Sequence, residues 1–259
     1  MKHKSAPLIL SLLLTILMIQ PLSAEITGKQ IMEDVYNNPT GDDMQGELTM
    51  TLTNKQGESR VRTLKQYIKY GDEMDKKIMF FMAPADVRGT SFMNWSYADG
   101  RDDDQWIYLP ALKRTKRISS DGKSDYFMGS DFTYDDLGDR HPNEDTHTLL
   151  REETLDEKAC WVVESIPKEE NYMYSKTVTW VMKDNYLGLR REFYDEDGDL
   201  LKILTIKKFD NIDGFWTILE TEMKNVQKDH KTNMAFNNVQ INQGISDNRF
   251  TERSMTLGR

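Results

Sequence analysis

The sequence predicts a mostly β protein: one long antiparallel sheet, strongly curved and only partly closed into a barrel. Three observations predict it. From Met44 onward apolar residues fall at every second position, as in "GELTMTLTN", where Leu48, Met50 and Leu52 alternate with threonines. The β-patterned runs are separated by short turn signals, among them "NKQG" at residues 54–57 and the Asp-Gly pairs of "DEDGD" and "DGFW", so successive strands fold back on one another. No run of alternating strand and helix patterns appears, which argues against a doubly wound parallel sheet.

The first element is a leader. Lys2 and Lys4 precede an apolar run over residues 8–19, and "PLSA" ends at Ala24, the order of a secretory signal with a small-residue cleavage site. The apolar core is shorter than the ~20 residues a membrane span needs. Residues 1–24 therefore read as a cleaved signal and residues 25–259 as a single domain. Cys160 is the sole cysteine, so there is neither a lipobox cysteine to acylate nor an internal disulfide. That usage suits a bacterial periplasm better than a small disulfide-stapled scaffold.

A short amphipathic helix follows, "TGKQIMEDVYNN", with Thr27 as N-cap and Ile31, Met32 and Val35 as its apolar face. Strands then run from "GELTMTLTN" and "RVRTLKQYIKY" through "KKIMFFMAP", "TSFMNWSYADG" and "DQWIYLPALKR". After an irregular centre at residues 119–147 they resume with "CWVVESIP" and continue to "HKTNMAFNNVQIN". A last helical piece, "SDNRFTERSM", is capped by Ser246 or Asp247. A long sheet with one apolar face has to curl around something. The two helical pieces and the irregular centre are expected to cover its concave side.

Charge narrows the partners. The formal net charge is −9, and it becomes −11 once Lys2 and Lys4 leave with the signal. Nucleic acid is disfavoured, since its affinity rests on neutralised phosphates. The overall sign also disfavours an anionic lipid surface, although the local patch "KRTKR" at residues 113–117 runs against it.

Chemistry is sparse. "DGRDDDQ" and "DEDGD" resemble calcium loops, but counting from Asp195 the sixth and twelfth positions hold Leu200 and Ile206 rather than Gly and Glu. Both read as solvated turns. Beyond the leader the histidines are His141, His147 and His230, with no metal-ligand spacing, and there is no G-x-S-x-G elbow. No cofactor or metal is expected, and the protein is not expected to be an enzyme; a hydrolase built on a carboxylate pair is the remote alternative. What stands out is apolar: five tryptophans and a set of methionines, most on β-patterned stretches. Methionine is over-used where a surface accepts varied apolar shapes.

Four segments in order, "DVRGTSFMNW", "DQWIYLPALKRTKRI", "GSDFTYDDL" and "LRREFYDEDGDLLK", resemble the outer-membrane lipoprotein-sorting protein-like family, a LolA-like family typified by an uncharacterised spirochaete protein. The resemblance covers essentially the whole mature chain. It implies the fold of the lipoprotein carriers LolA and LolB, an incomplete antiparallel β-barrel with a helical or loop lid over an apolar cavity. It implies further a periplasmic carrier of a lipid or lipid-modified cargo, working beside an export permease of the resistance-nodulation-division type. The alternative is a non-catalytic adaptor or sensor docked on that permease. A monomer is expected.

On this reading the cavity or its lid is formed by Leu48, Met50, Phe80, Met82, Met93, Trp95, Trp106, Tyr108, Phe127, Phe132, Tyr134, Trp180 and Met182, chosen by strand alternation and aromatic content. Lys113, Arg114, Lys116 and Arg117 are the expected partner-docking residues. Within "SDYFMGSDFTYDDLGDR", Phe127, Met128, Phe132 and Tyr134 form the inner side of the lid, while Asp125, Asp131, Asp135 and Asp136 keep its outer side in water.

Overall fold

The computed structural model describes residues 25–258; the expected leader lies outside the described residues. Helix α1 spans Gly28–Tyr36, with the Thr27 side chain accepting from the Gln30 N–H, as the sequence predicts. Strands β1 (Asp43–Thr53), β2 (Ser59–Lys69), β3 (Met74–Ala83), β4 (Ser91–Tyr97), β5 (Asp104–Leu109) and β6 (Arg114–Arg117) form the first half. The second half is β7 (Asp145–Leu155), β8 (Lys158–Pro167), β9 (Lys176–Met182), β10 (Gly188–Tyr194), β11 (Leu200–Ile212), β12 (Phe215–Asn225) and β13 (His230–Ile241), followed by α2 (Glu252–Leu257).

All thirteen strands belong to one antiparallel sheet, ordered β6-β5-β4-β3-β2-β1-β13-β12-β11-β10-β9-β8-β7. The chain thus enters and leaves the sheet at its middle, where β1 pairs with β13. Its two free edges, β6 and β7, are consecutive in sequence but do not pair with each other, so the barrel stays incomplete. Residues 118–144 must carry the chain from one edge to the other.

Register divides the sheet into two covered faces. On the inner face Leu48 stands opposite Leu64, Leu64 opposite Phe81, and Met79 opposite Phe92. Across the middle Met50 faces Met234, and further on Met223 faces Leu204. These residues form the main core together with Phe127 and Phe132 of the crossing segment. Helix α1 covers the far part of the same face, Ile31 and Met32 packing on Trp161, Val163 and Val181. Gly28 is required there: a Cβ would lie 2.6 Å from the backbone nitrogen of Leu149.

The C-terminal piece corrects the expectation. Ser246 caps a short 3-10 turn, and Thr251 caps α2, but Phe250 and Met255 pack on Ile78, Phe80 and Met93. Those positions alternate with Met79, Phe81 and Phe92, so this piece covers the outer face instead of the concave side. Its seat is fixed by the Ser91 hydroxyl, which donates to the Met255 carbonyl at 3.1 Å.

Candidate functional site

The crossing segment is the feature that most needs explaining. It has only 3-10 turns and one isolated bridge, Tyr126 to Thr133, so its place on the sheet rests on side chains. Phe127 is fully buried, with ring centroids 5.8 Å from Phe81, 5.2 Å from Phe92 and 5.5 Å from Tyr134. Such tilted and edge-on pairs add to the area they bury. The turn that aims Phe127 inward needs two left-handed residues, Met128 at φ 50° and Gly129 at φ 74°.

Polar ties reach the segment from five strands and from the β8–β9 loop. Arg62 of β2 donates to the Met128 carbonyl at 2.6 Å, Lys77 of β3 to that of Leu137 at 2.8 Å, and Gln105 of β5 to that of Tyr134 at 2.8 Å. The Asp131 carboxylate accepts from the Thr232 hydroxyl at 2.7 Å and has His230 Nδ1 at the same distance, while the Asp131 N–H donates to Thr232 Oγ1. Lys202, fully enclosed, pairs with Asp136 and reaches the Asp131 carbonyl at 3.2 Å. Asp136 also accepts from the Tyr174 hydroxyl at 2.9 Å, and Asp135 from that of Tyr172. Burial pushes the Asp135 carboxyl up, against the opposing hydrogen bond from Tyr172. The Tyr174 phenol is raised by burial and then by the charge of Asp136.

A second expectation is corrected by these contacts. Asp125 is exposed, but Asp131 is buried and Asp135 and Asp136 turn inward to hydroxyls and to Lys202. The acids do not keep an outer side wet; they tie the segment down. Buried carboxylates need such partners.

Of the residues expected to line the cavity, Leu48, Met50, Phe127, Phe132 and Tyr134 meet on the inner face. Phe80, Met93, Trp95, Trp106 and Tyr108 lie on the outer face beneath the C-terminal piece. Trp180 and Met182 pack on Cys160, Val162, Leu187 and Leu189, also on the outer side. Met82 is exposed. The cause is register: both faces of these strands are covered, so alternation alone does not say which is inner. Lys113, Arg114, Lys116 and Arg117 are exposed at the β5–β6 hairpin, with Arg117 paired to Asp104. Sequence reasoning missed Lys202, Thr232, His230 and Tyr174. The one available signal was a lysine at an alternate position among Leu204 and Ile206.

Beside the segment runs a polar cleft of about 510 Å³ lined by Asp103, Asp121, Asp135 and Arg140, but apolar space is limited. A cavity of about 170 Å³ is bounded by Met32, Val35, Phe132, Phe193, Leu204 and Met223, with Tyr172, Tyr174, Arg191 and three aspartates at its rim. Arg191 donates to Thr179 at 3.0 Å and forms no ion pair among the described residues; burial lowers its pKa. An apolar cavity of ~150 Å³ takes up benzene, and drug-sized ligands occupy ~300–1,000 Å³. In this conformation the inner face is filled by the protein's own side chains.

An unclosed antiparallel sheet whose inner face is covered by a helix and by the segment joining its edges defines the LolA-like class. The chain belongs to the outer-membrane lipoprotein-sorting protein-like family, with 31% identity to a DUF1329 family protein from Desulfovibrio piger over 88% of this chain and 97% of that one, at a TM-score of 0.83. A protein from Vibrio parahaemolyticus, described as an outer membrane lipoprotein-sorting protein domain, is 35% identical over 88% of this chain and 98% of its own, also at 0.83. A LolA superfamily protein from Nitrosomonas europaea shares the fold at 20% identity and a TM-score of 0.68, over 89% of this chain and all of that one. The family model matching residues 73–257 is described as uncharacterized-protein-like. No curated protein matches.

Proposed function

We propose that the protein is a non-enzymatic periplasmic carrier, and that it takes a lipid or the acyl chains of a lipid-modified protein onto the inner face of the half-barrel once residues 118–144 swing away. The observation that carries this reading is the segment itself: an aromatic, irregular stretch hinged between two unpaired sheet edges and resting on the main apolar core. The name of the Vibrio parahaemolyticus relative, a lipoprotein-sorting domain, agrees with it.

Energetics allow the exchange. Each methylene taken from water is worth about 0.8 kcal/mol, so ten of them supply roughly 8 kcal/mol, before ordering costs, to set against displaced Phe127 and Phe132. A carrier of this kind needs no catalytic group, only a cover that opens.

One observation favours a second reading. Because the inner face is already filled, the half-barrel also suits an adaptor that carries nothing and docks on an export permease. Native mass spectrometry with lipid extraction, on mature protein purified from its own periplasm without detergent, separates the two. A stoichiometric lipid or acylated peptide establishes the carrier. Bare protein, also after incubation with envelope lipids, overturns it in favour of the adaptor.

A further inference from the structure

One flank of one end of the half-barrel, made by the β1–β2, β3–β4 and β5–β6 turns, has a charge opposite to that of the whole protein, while the acidic β10–β11 turn at residues 195–199 leaves the far flank of the same end. The register places Thr53 beside Ser59, Thr63 beside Ala83, Phe80 beside Ser91 and Leu109 beside Arg114. The turns at residues 54–58, 84–90 and 110–113 therefore leave the sheet at the same end. Two of them adjoin, since a Cβ on Gly89 would meet Pro110 at 3.6 Å.

Lys55, Arg60, Arg62, Arg88, Lys113 and Arg114 gather there against two acids, Glu58 and Asp86. None of the six cations is in an ion pair among the described residues, whereas Lys69, Lys76, Lys176 and Lys202 elsewhere each hold a carboxylate. Three large apolar side chains stand out of the same end: Leu112 at 68% exposure, Val61 at 52% and Met82 at 40%. Leu112 sits on the tip of a short 3-10 turn, Pro110–Leu112, directly before Lys113 in the left-handed conformation.

Singly exposed apolar residues are ordinary. Their coincidence with unpaired cations, on a chain that is otherwise strongly acidic, is what points to a partner. Sizeable openings lie elsewhere, one along the crossing segment and two beside the C-terminal piece. This end consists of projecting turns, which fit a flat surface better than a peptide or a helix.

We propose that this end docks on an anionic lipid bilayer, with Leu112, Val61 and Met82 entering the headgroup boundary and the basic residues meeting the lipid phosphates. Basic residues near an anionic surface act within a Debye length, about 8 Å at physiological salt, so the charges of the contacting turns decide the interaction rather than the net charge of the molecule. The same end carries the tip of the crossing segment. Arg62, one of the six cations, holds the Met128 carbonyl, and His230 and Thr232 at the start of β13 hold Asp131. Docking thus brings the bilayer next to the part of the cover that has to move for cargo to enter. This proposal goes beyond carriage itself, because Leu112, Val61 and Met82, the side chains that enter the bilayer, take no part in the inner-face core.

The test is flotation of the mature protein with vesicles of phosphatidylcholine alone and of phosphatidylcholine mixed with phosphatidylglycerol, at low and high salt. Binding is expected only to the mixed vesicles and is expected to be released by salt. K113E/R114E should weaken it by about tenfold or more, taking each basic residue at its usual worth near such a surface. Leu112→Asp should weaken it less steeply with salt. Unaltered thermal melting of these surface variants excludes misfolding as the cause. Equal binding to both vesicle types, no binding of the wild type, or variants that float like the wild type overturns the proposal, and the last two outcomes redirect these turns to an acidic protein partner. Native mass spectrometry keeps the two readings apart: lipid bound to K113E/R114E with flotation lost leaves the carrier standing, and salt-sensitive flotation of a wild type that holds no lipid leaves the docking end standing.

Discussion

Lys202 and Asp136, 66 residues apart in sequence, form an ion pair with 0% and 5% side-chain exposure beneath the segment that joins the two sheet edges. Among the described residues it is the most enclosed ion pair between cover and sheet. Removing one partner of a buried pair leaves an uncompensated charge, which costs about 3–5 kcal/mol. Lys202→Met is therefore expected to lower unfolding stability by that amount in urea titrations. Lys202→Met with Asp136→Leu should recover most of it, because well-packed apolar replacements of a buried pair are close to neutral. A double variant as unstable as the single one would show that Lys202 acts mainly through its other contacts, the Asp131 carbonyl and the ring of Tyr174.

How much of this was legible in the sequence differs from element to element. The cap at Thr27, the hairpin turns and the meander follow from local chemistry, so they can be read from a few residues at a time. Faces are another matter. In β4 five of seven residues are buried and none is exposed, and in β9 the last five are all buried, so apolar alternation has no wet side to calibrate it. That is why Phe80, Met93 and Trp106 read as cavity residues when they support α2 from the outer face. The acids of the crossing segment misled for a different reason. Asp131 and Asp136 look solvated until Thr232 and Lys202 arrive from strands about 100 and 66 residues further on.

The C-terminal piece is pinned by charge. Asp247 accepts from Lys69 and Lys76 at 2.8 Å each, and those bonds hold its carboxyl down to about 2. An unfolded aspartate titrates near ~3.9. A depressed folded pKa means that the stabilisation is fully present above the unfolded value and is lost as pH falls through about 2. Asp247→Asn should flatten the acid limb of the stability profile and leave the neutral limb nearly unchanged, since the site is exposed and screened by solvent. A titration of the Asp247 side chain followed by NMR gives the direct check; an ordinary midpoint would mean that neither lysine bond persists in solution.

Asp135 carries the opposite sign. Burial raises its carboxyl above the ordinary value, so the folded state holds the proton more tightly than the unfolded one. Its contribution is present at low pH and is lost as pH rises through the raised value. Asn at this position still accepts from the Tyr172 hydroxyl but carries no charge into the site. Asp135→Asn is expected to be more stable than the wild type at neutral pH, with the difference vanishing under acid conditions. Thermal melts of both proteins across pH 4 to 8 would measure it, with pH 8 well above and pH 4 near the carboxylate range. A difference that grows toward acid would contradict the burial argument.

The last prediction bears on whether the cover moves as a unit. Phe127 is its deepest anchor, fully buried among Phe81, Phe92 and Tyr134. Truncating a buried phenylalanine costs about 3–5 kcal/mol, yet where that cost appears depends on which structure opens. If residues 118–144 open independently of the sheet, Phe127→Ala lowers only the local opening energy. Amide exchange then accelerates at the hydrogen bonds the segment makes for itself, such as Phe127 N–H to the Phe132 carbonyl at 2.7 Å and Tyr134 N–H to that of Asp125 at 3.0 Å. Strands β11 and β12, paired from Lys202 opposite Asn225 to Ile212 opposite Phe215, keep the exchange rates of the wild type. Uniform acceleration across segment and strands would instead make the cover inseparable from the fold, and a half-barrel whose cover opens only by global unfolding cannot load cargo in its native state.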